Sequence, residues 1–259
     1  AAVVALVVAG MYTFVGKRSI PVFVTAALIL AIFTAHRNEA YRTPLSLWQD
    51  TLAKIPTNGR AHYMVATALA AEGRADEALK HHEEYVRLQP QEPKAHFSHG
   101  TALLRAGRID EALHRFEETL RLNPDHVDAH NNYGLALRQI GRLDEAITHF
   151  QKAIDLSPDS APLHNNLGVA FGIAGRLPEA VAQFAQALAI DPGYAEAHNN
   201  LGYAFRQRGQ LDQAAAHFRD ALRLSPRYAE AHNNLALTLA AQGKTTEAIS
   251  AYRDVLRLE

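Results

Sequence analysis

Asparagine stands twice in a row at four places, Asn131–Asn132, Asn165–Asn166, Asn199–Asn200 and Asn233–Asn234, and each pair follows a histidine. An asparagine amide carries two donors and an acceptor, so a column of amides can pair with a peptide backbone whatever its side chains are. Imidazoles offer a second chemistry, metal binding, provided that several ligands converge on one point. What either set of residues can do therefore depends on how the chain spaces and orients them.

Other chemistries find little material. Cysteine is absent from the 259 residues, which removes disulfides and thiolate metal sites. A formal net charge of −1 gives no electrostatic footprint for nucleic acid. There is no glycine-rich phosphate loop, zinc-protease helix or nucleophile elbow. Carboxylates such as Glu83 and Glu84 fall on solvated helix faces. The array reads as non-catalytic and without a cofactor.

The pairs recur every 34 residues, and so does much else. Gly73, Gly107, Gly141, Gly175, Gly209 and Gly243 share one position. Ala78, Ala112, Ala146, Ala180, Ala214 and Ala248 share another, and Pro56, Pro90, Pro124, Pro158, Pro192 and Pro226 a third. Six units follow without insertion, 59–92, 93–126, 127–160, 161–194, 195–228 and 229–259, after a half unit in which Trp48 takes the place later held by phenylalanine. Each unit predicts two helices. The first ends at its glycine, suited to a left-handed cap. The second starts near Asp76, Asp110, Asp144 or Asp212, with Pro178 tolerated in a first turn. Ile147, Phe150 and Ile154 show its apolar stripe, and the proline ends it.

Leu201, Gly202, Ala214, Phe218, Ala221 and Pro226, in a 34-residue unit, resemble the tetratricopeptide repeat family over roughly residues 45–259. The departures are Ala66 and Ala236 in place of glycine, and His82 and Tyr85 in the first full repeat. The resemblance implies an all-α, right-handed solenoid of antiparallel helix pairs, with the first helix of each pair lining the concave groove.

At about 100° per residue, His198, Leu201, Gly202 and Phe205 fall on one side of the first helix, and Glu196, Asn200, Tyr203 and Gln207 on the other. Asn132, Asn166, Asn200 and Asn234 then form a column along the groove, broken upstream by Met64 and Ser98. The column resembles the asparagine ladder of O-linked N-acetylglucosamine transferases, which implies binding of extended peptides. The alternative is bonding within the array. Asn131, Asn165, Asn199 and Asn233 fall near the groove edge, where they bridge repeats or face solvent. Arg60, Lys94 and Arg105, followed by Asp128, Glu196 and Glu230, would give the groove a change of sign that orients a ligand, or simply a solvated face. The histidines His62, His96, His130, His164, His198 and His232 stand a full repeat apart and read as polar core residues rather than ligands. His96 and His99, at i and i+3, are the only local pair worth naming, while His81 and His82 face two directions and gather no third ligand. No metal site is expected.

Residues 1–35 differ from all the rest: Lys17 and Arg18 are their only charges, and Ser19–Ala35 is a charge-free run of 17 residues, near the lower limit of a membrane span. A transmembrane helical hairpin over 1–36 is expected, its first helix truncated, with a signal peptide or a buried soluble hairpin as rivals. The chain opens on Ala1, which reads as a fragment or a processed chain. Residues 37–58, "RNEAYRTPLSLWQDTLAKIPTN", form a junction and half repeat. Residues 37–63, which continue this segment through "GRAHY", resemble the junction in polytopic membrane proteins with C-terminal repeats, relatives of protein O-mannosyltransferases, which implies repeats outside the cytoplasm. The expected function is a membrane-anchored scaffold that binds a protein or extended peptide. The alternative is the substrate-recruiting region of a membrane glycosyltransferase. Ile249, Tyr252 and Leu256 in the last repeat predict an apolar stripe and self-association.

Overall fold

The computed structural model describes residues 25–34 and 43–258, which contain helices and turns only. The chain divides into two compact units, up to Pro90 and from Gln91.

In the first unit residues 25–34 are helical (α1). Three helices follow, α2 (Pro44–Lys54), α3 (Gly59–Ala71) and α4 (Ala75–Leu88). Thr43 and Ser46 close a reciprocal capping box at the start of α2, and Pro44 takes the first helical turn. Trp48 and Leu52 of α2 pack on Leu45, Val65, Ala66, Leu69 and Ala78. The half repeat thereby covers the apolar face of the first full repeat, as solenoid ends require.

Ten helices form the second unit: α5 (Pro93–Arg105), α6 (Ile109–Leu122), α7 (Val127–Gln139), α8 (Leu143–Leu156), α9 (Ala161–Ile173), α10 (Leu177–Ile190), α11 (Ala195–Gln207), α12 (Leu211–Leu224), α13 (Ala229–Ala241) and α14 (Thr245–Leu258). Each first helix packs on its own second helix, and each second helix on the next first helix.

Two glycine positions shape the repeats, for different reasons, the first in all six and the second in four. The turn glycines have φ between +74° and +77°, which only glycine adopts without strain. The glycine inside the first helix is a matter of space. A Cβ on Gly168 would lie 2.6 Å from Phe184 Cε1, and one on Gly100, Gly134 or Gly202 2.8 Å from Phe116, Phe150 or Phe218. Those rings are buried, filling the gap that the missing side chain leaves. The alanine exceptions stand where the residue sixteen places on is not phenylalanine: His82 after Ala66, and Tyr252 after Ala236.

The second helices begin one residue before the expected aspartates. Their N-cap residues Arg74, Arg108, Arg142, Arg176 and Gln210 make no side-chain cap bond. The four arginines instead reach Glu77, Glu111, Glu145 and Glu179, three residues on, at 2.6–2.9 Å. First-turn acids such as Asp76 and Asp110 therefore act through the helix dipole rather than as caps.

Among the described residues no helix is long and apolar enough to cross a membrane. The structure gives the expected hairpin no support; most of residues 1–36 lie outside the described residues. Within α1, Leu28, Ile29, Leu30, Ile32 and Phe33 are all exposed.

Candidate peptide-binding site

The asparagine pairs bond to one another from repeat to repeat. Asn166 Nδ2 donates to Asn131 Oδ1 at 2.9 Å, Asn200 to Asn165 at 2.9 Å, and Asn234 to Asn199 at 3.0 Å. The first asparagine of each pair also donates forward. Asn165 Nδ2 reaches Glu196 Oε1 at 3.2 Å and Asn199 Nδ2 reaches Glu230 Oε1 at 3.1 Å. Asn131 finds Pro162 at the equivalent place and turns instead to Asn132 Oδ1 at 3.3 Å. Asn132 ends the ladder on Thr101 Oγ1 at 3.2 Å, since the preceding repeat has Phe97 where an asparagine would accept. Tyr194 hydrogen-bonds Asn165 and Glu196, and Tyr228 bonds Asn199. Burial, with Glu230 and Glu196 nearby, pushes the Tyr228 hydroxyl up to about 12, so it stays neutral.

This arrangement sharpens the wheel. Asn165 and Asn199 are 1% exposed and bridge adjacent repeats, the first of the two expected alternatives. Asn233 alone of that set is exposed. Asn234, 5% exposed, is closed to a ligand, so the open column shortens to the half-buried Asn132, Asn166 and Asn200. Glu196 and Glu230 keep their charge but accept from Asn165 and Asn199. The physical reason is the same throughout: an amide leaving water needs a partner, and the partner lies 35 residues away, beyond the reach of a single-helix projection.

Asn200 keeps one amide proton and its oxygen beyond the Asn165 bond, and it lines a cavity of about 450 Å³. Val169, Ile173, Leu177 and Phe184 give this cavity an apolar floor. Tyr203 and Gln207, both exposed, complete the rim with Glu230. The structure thus joins Asn200, Tyr203 and Gln207 at one place, as the wheel implied. Arg206 lies over the Tyr203 ring at 5.2 Å and fixes its orientation. Lys94 and Arg105 are exposed at the two ends of α5, and Arg60 is exposed on α3 in the first unit; none of the three lines this cavity.

The first-helix histidines bond within the array, in keeping with the polar-core reading. The first-helix imidazole reaches back to the proline carbonyl six residues earlier: His62 Nε2 to Pro56 at 3.0 Å, His130 to Pro124 at 2.9 Å, His164 to Pro158 at 3.0 Å, His198 to Pro192 at 3.3 Å and His232 to Pro226 at 3.0 Å. A carbonyl only accepts, so Nε2 carries the proton and Nδ1 the lone pair. That lone pair meets the residue nineteen places on. His62 Nδ1 lies 2.9 Å from His81 Nδ1, His130 2.9 Å from His149, His198 3.1 Å from His217, and His164 2.8 Å from the Gln183 side-chain amide, whose NH2 end is the one that can donate to a lone pair. Burial first, then the partner imidazole, lowers His149 to about 4 and also lowers His81 and His217. His82, buried beside Tyr63, is lowered to about 4 by burial and then by His81. His96 and His99 are both buried. Among the described residues, ligand atoms of His198, His217 and Asp220 all lie within 4.8 Å of one another, a cluster that the sequence reading, which weighed first-helix histidines a full repeat apart, did not name. No sequence motif marks this, because α11 and α12 must first fold face to face.

Three tetratricopeptide repeat models match the chain, over residues 37–93 and 97–161, 173–207 and 202–243, and 229–258. No curated protein sequence matches it. Among solved structures, a thermophilic TPR protein of Thermus thermophilus is 25% identical, with a TM-score of 0.57 over 70% of this chain and 99% of that one. MamA residues 41-end from Desulfovibrio magneticus is 23% identical, with a TM-score of 0.61 over 66% and 96%. YrrB, described as a TPR protein with an unusual peptide-binding site, is 21% identical, with a TM-score of 0.58 over 71% and 95%. The finer resemblances, to N-acetylglucosamine transferase ladders and to the O-mannosyltransferase junction, rest on the sequence alone. With its 34-residue period, glycine-capped helix pairs and solenoid stacking matched by both comparisons, the chain belongs to the tetratricopeptide repeat family.

Proposed function

We propose that the chain is a non-catalytic scaffold whose first helices hold an extended protein segment. The observation that carries this reading is the cavity between repeats. An apolar floor can take an aliphatic or aromatic side chain, while Asn200 and Gln207 stand at its rim to pair with the backbone on either side. YrrB, a fold relative, is described as having a peptide-binding site. Peptide display against the full chain tests the reading. Enrichment of peptides with one apolar anchor, lost on Tyr203→Ala, supports it; no enrichment, or enrichment that ignores this substitution, contradicts it.

Attachment to a membrane through residues 1–35, with the array outside the cytoplasm, belongs to the same proposal. Its supports are the charge-free run Ser19–Ala35 and the exposed apolar side chains of α1. Release of the full chain from membranes by alkaline carbonate would contradict it. Ile249 and Leu256 are exposed on α14 while Tyr252 packs back on the last repeat. Self-association through the two exposed side chains is proposed accordingly, and concentration-independent sedimentation as a monomer would rule it out.

A further inference from the structure

We infer that the fifth repeat contains a site for one divalent transition-metal ion, held by His198, His217 and Asp220. His198 Nδ1 and His217 Nδ1 stand 3.1 Å apart across the α11–α12 pair. With metal–nitrogen bonds of about 2.0–2.1 Å, that separation gives a nitrogen–metal–nitrogen angle of about 100°, close to tetrahedral. A carboxylate oxygen of Asp220 lies within 4.8 Å of a ring nitrogen of each histidine. Two imidazoles and one carboxylate suit zinc, cobalt or nickel rather than calcium or magnesium, and leave a fourth position for water.

The surroundings orient these ligands. His198 gives its Nε2 proton to the Pro192 carbonyl at 3.3 Å, which turns the Nδ1 lone pair inward. The His217 ring stacks on Phe205, with centroids 5.5 Å apart and planes at 17°. Without metal, a proton lies between the two Nδ1 atoms. On binding it moves by exchange with water from His217 Nδ1 to His217 Nε2, so both ligands stay neutral and no proton is lost.

The other repeats serve as internal controls. The first pairs His62 with His81, but the carboxylate three places on, Glu84, is held by Arg87 at 2.7 Å and 3.0 Å. In the third, His130 and His149 pair in the same way, yet Lys152 stands where the carboxylate would be. Gln183 replaces the second histidine in the fourth. In the fifth repeat the contact of Asp220 with Arg223 is single and 3.4 Å long, and the aspartate side chain is 43% exposed, open to an arriving ion.

The test is a zinc titration by calorimetry on the tag-free full chain, repeated with cobalt and followed by its visible absorption. The expected result is one equivalent bound, weakened by about 10–100-fold or more in His217→Gln and in Asp220→Asn, and unchanged in His149→Gln. His217→Gln should fold, because the His164–Gln183 pair is its natural counterpart; circular dichroism melting without metal checks this. No binding by the unmodified chain overturns the proposal. So does equal binding by His217→Gln, or an equal loss in His149→Gln.

Discussion

Asn234 donates its side-chain amide to Asn199 Oδ1 at 3.0 Å, and both side chains are buried in the interface between the fifth and sixth repeats. The repeated pair is therefore first an inter-repeat clasp. The second asparagine hands a proton back, and the first accepts it and passes its own proton forward to Glu230.

Asn199→Ala leaves the buried Asn234 amide and a Glu230 oxygen without their partner. The expected cost is about 1–3 kcal/mol, the penalty for an unsatisfied buried group. Asn233→Ala, exposed in the same turn, should cost nothing and gain slightly from helix propensity. Urea unfolding of the two variants checks the difference. Replacing all four second asparagines by alanine should lower the melting temperature as well. On the sequence alone that substitution looks harmless to stability.

Gly168→Ala should destabilise, because the new Cβ would lie 2.6 Å from Phe184 Cε1 and that ring is only 3% exposed. Overpacking of this kind costs about 1–3 kcal/mol, against up to about 1 kcal/mol gained in helix propensity. Gly172→Ala in the same helix meets nothing within 4 Å and should stabilise. Opposite shifts in melting temperature are the expected result.

Stability should fall as pH drops from about 6.5, the unfolded histidine value, towards 4. His82 and His149 are held near 4 in the fold, mainly by burial. Between those values the unfolded chain binds protons that the folded chain refuses, so stability rises with pH. His82 contributes roughly 2–3 kcal/mol across the window, and the more exposed His149 less. His149→Gln should shallow the pH dependence in denaturation curves taken across this range.

The architecture was legible because its determinants are local. A glycine forced to positive φ, a proline after each second helix and a small residue opposite a phenylalanine all repeat within one 34-residue unit. What escaped were contacts that need two helices or two repeats in place. Asn165 and Asn200 lie 35 residues apart, His198 and His217 nineteen. A wheel drawn on one helix placed Asn200, Tyr203 and Gln207 on the right side. It offered Asn199 as a bridge between repeats, but it could not show that the neighbouring repeat also closes over Asn234.

The central claim is that a ligand segment lies against the first helices at the cavity walled by Tyr203. Calorimetric titration of a display-selected peptide into the full chain and its Tyr203→Ala variant tests it most directly. Tyr203 is 44% exposed and carries no repeat contact in the ladder, so the fold should survive its loss. The predicted result is a loss of about tenfold or more in affinity, roughly 1.4 kcal/mol, with the melting temperature unchanged. Equal affinity for the two proteins would contradict the claim.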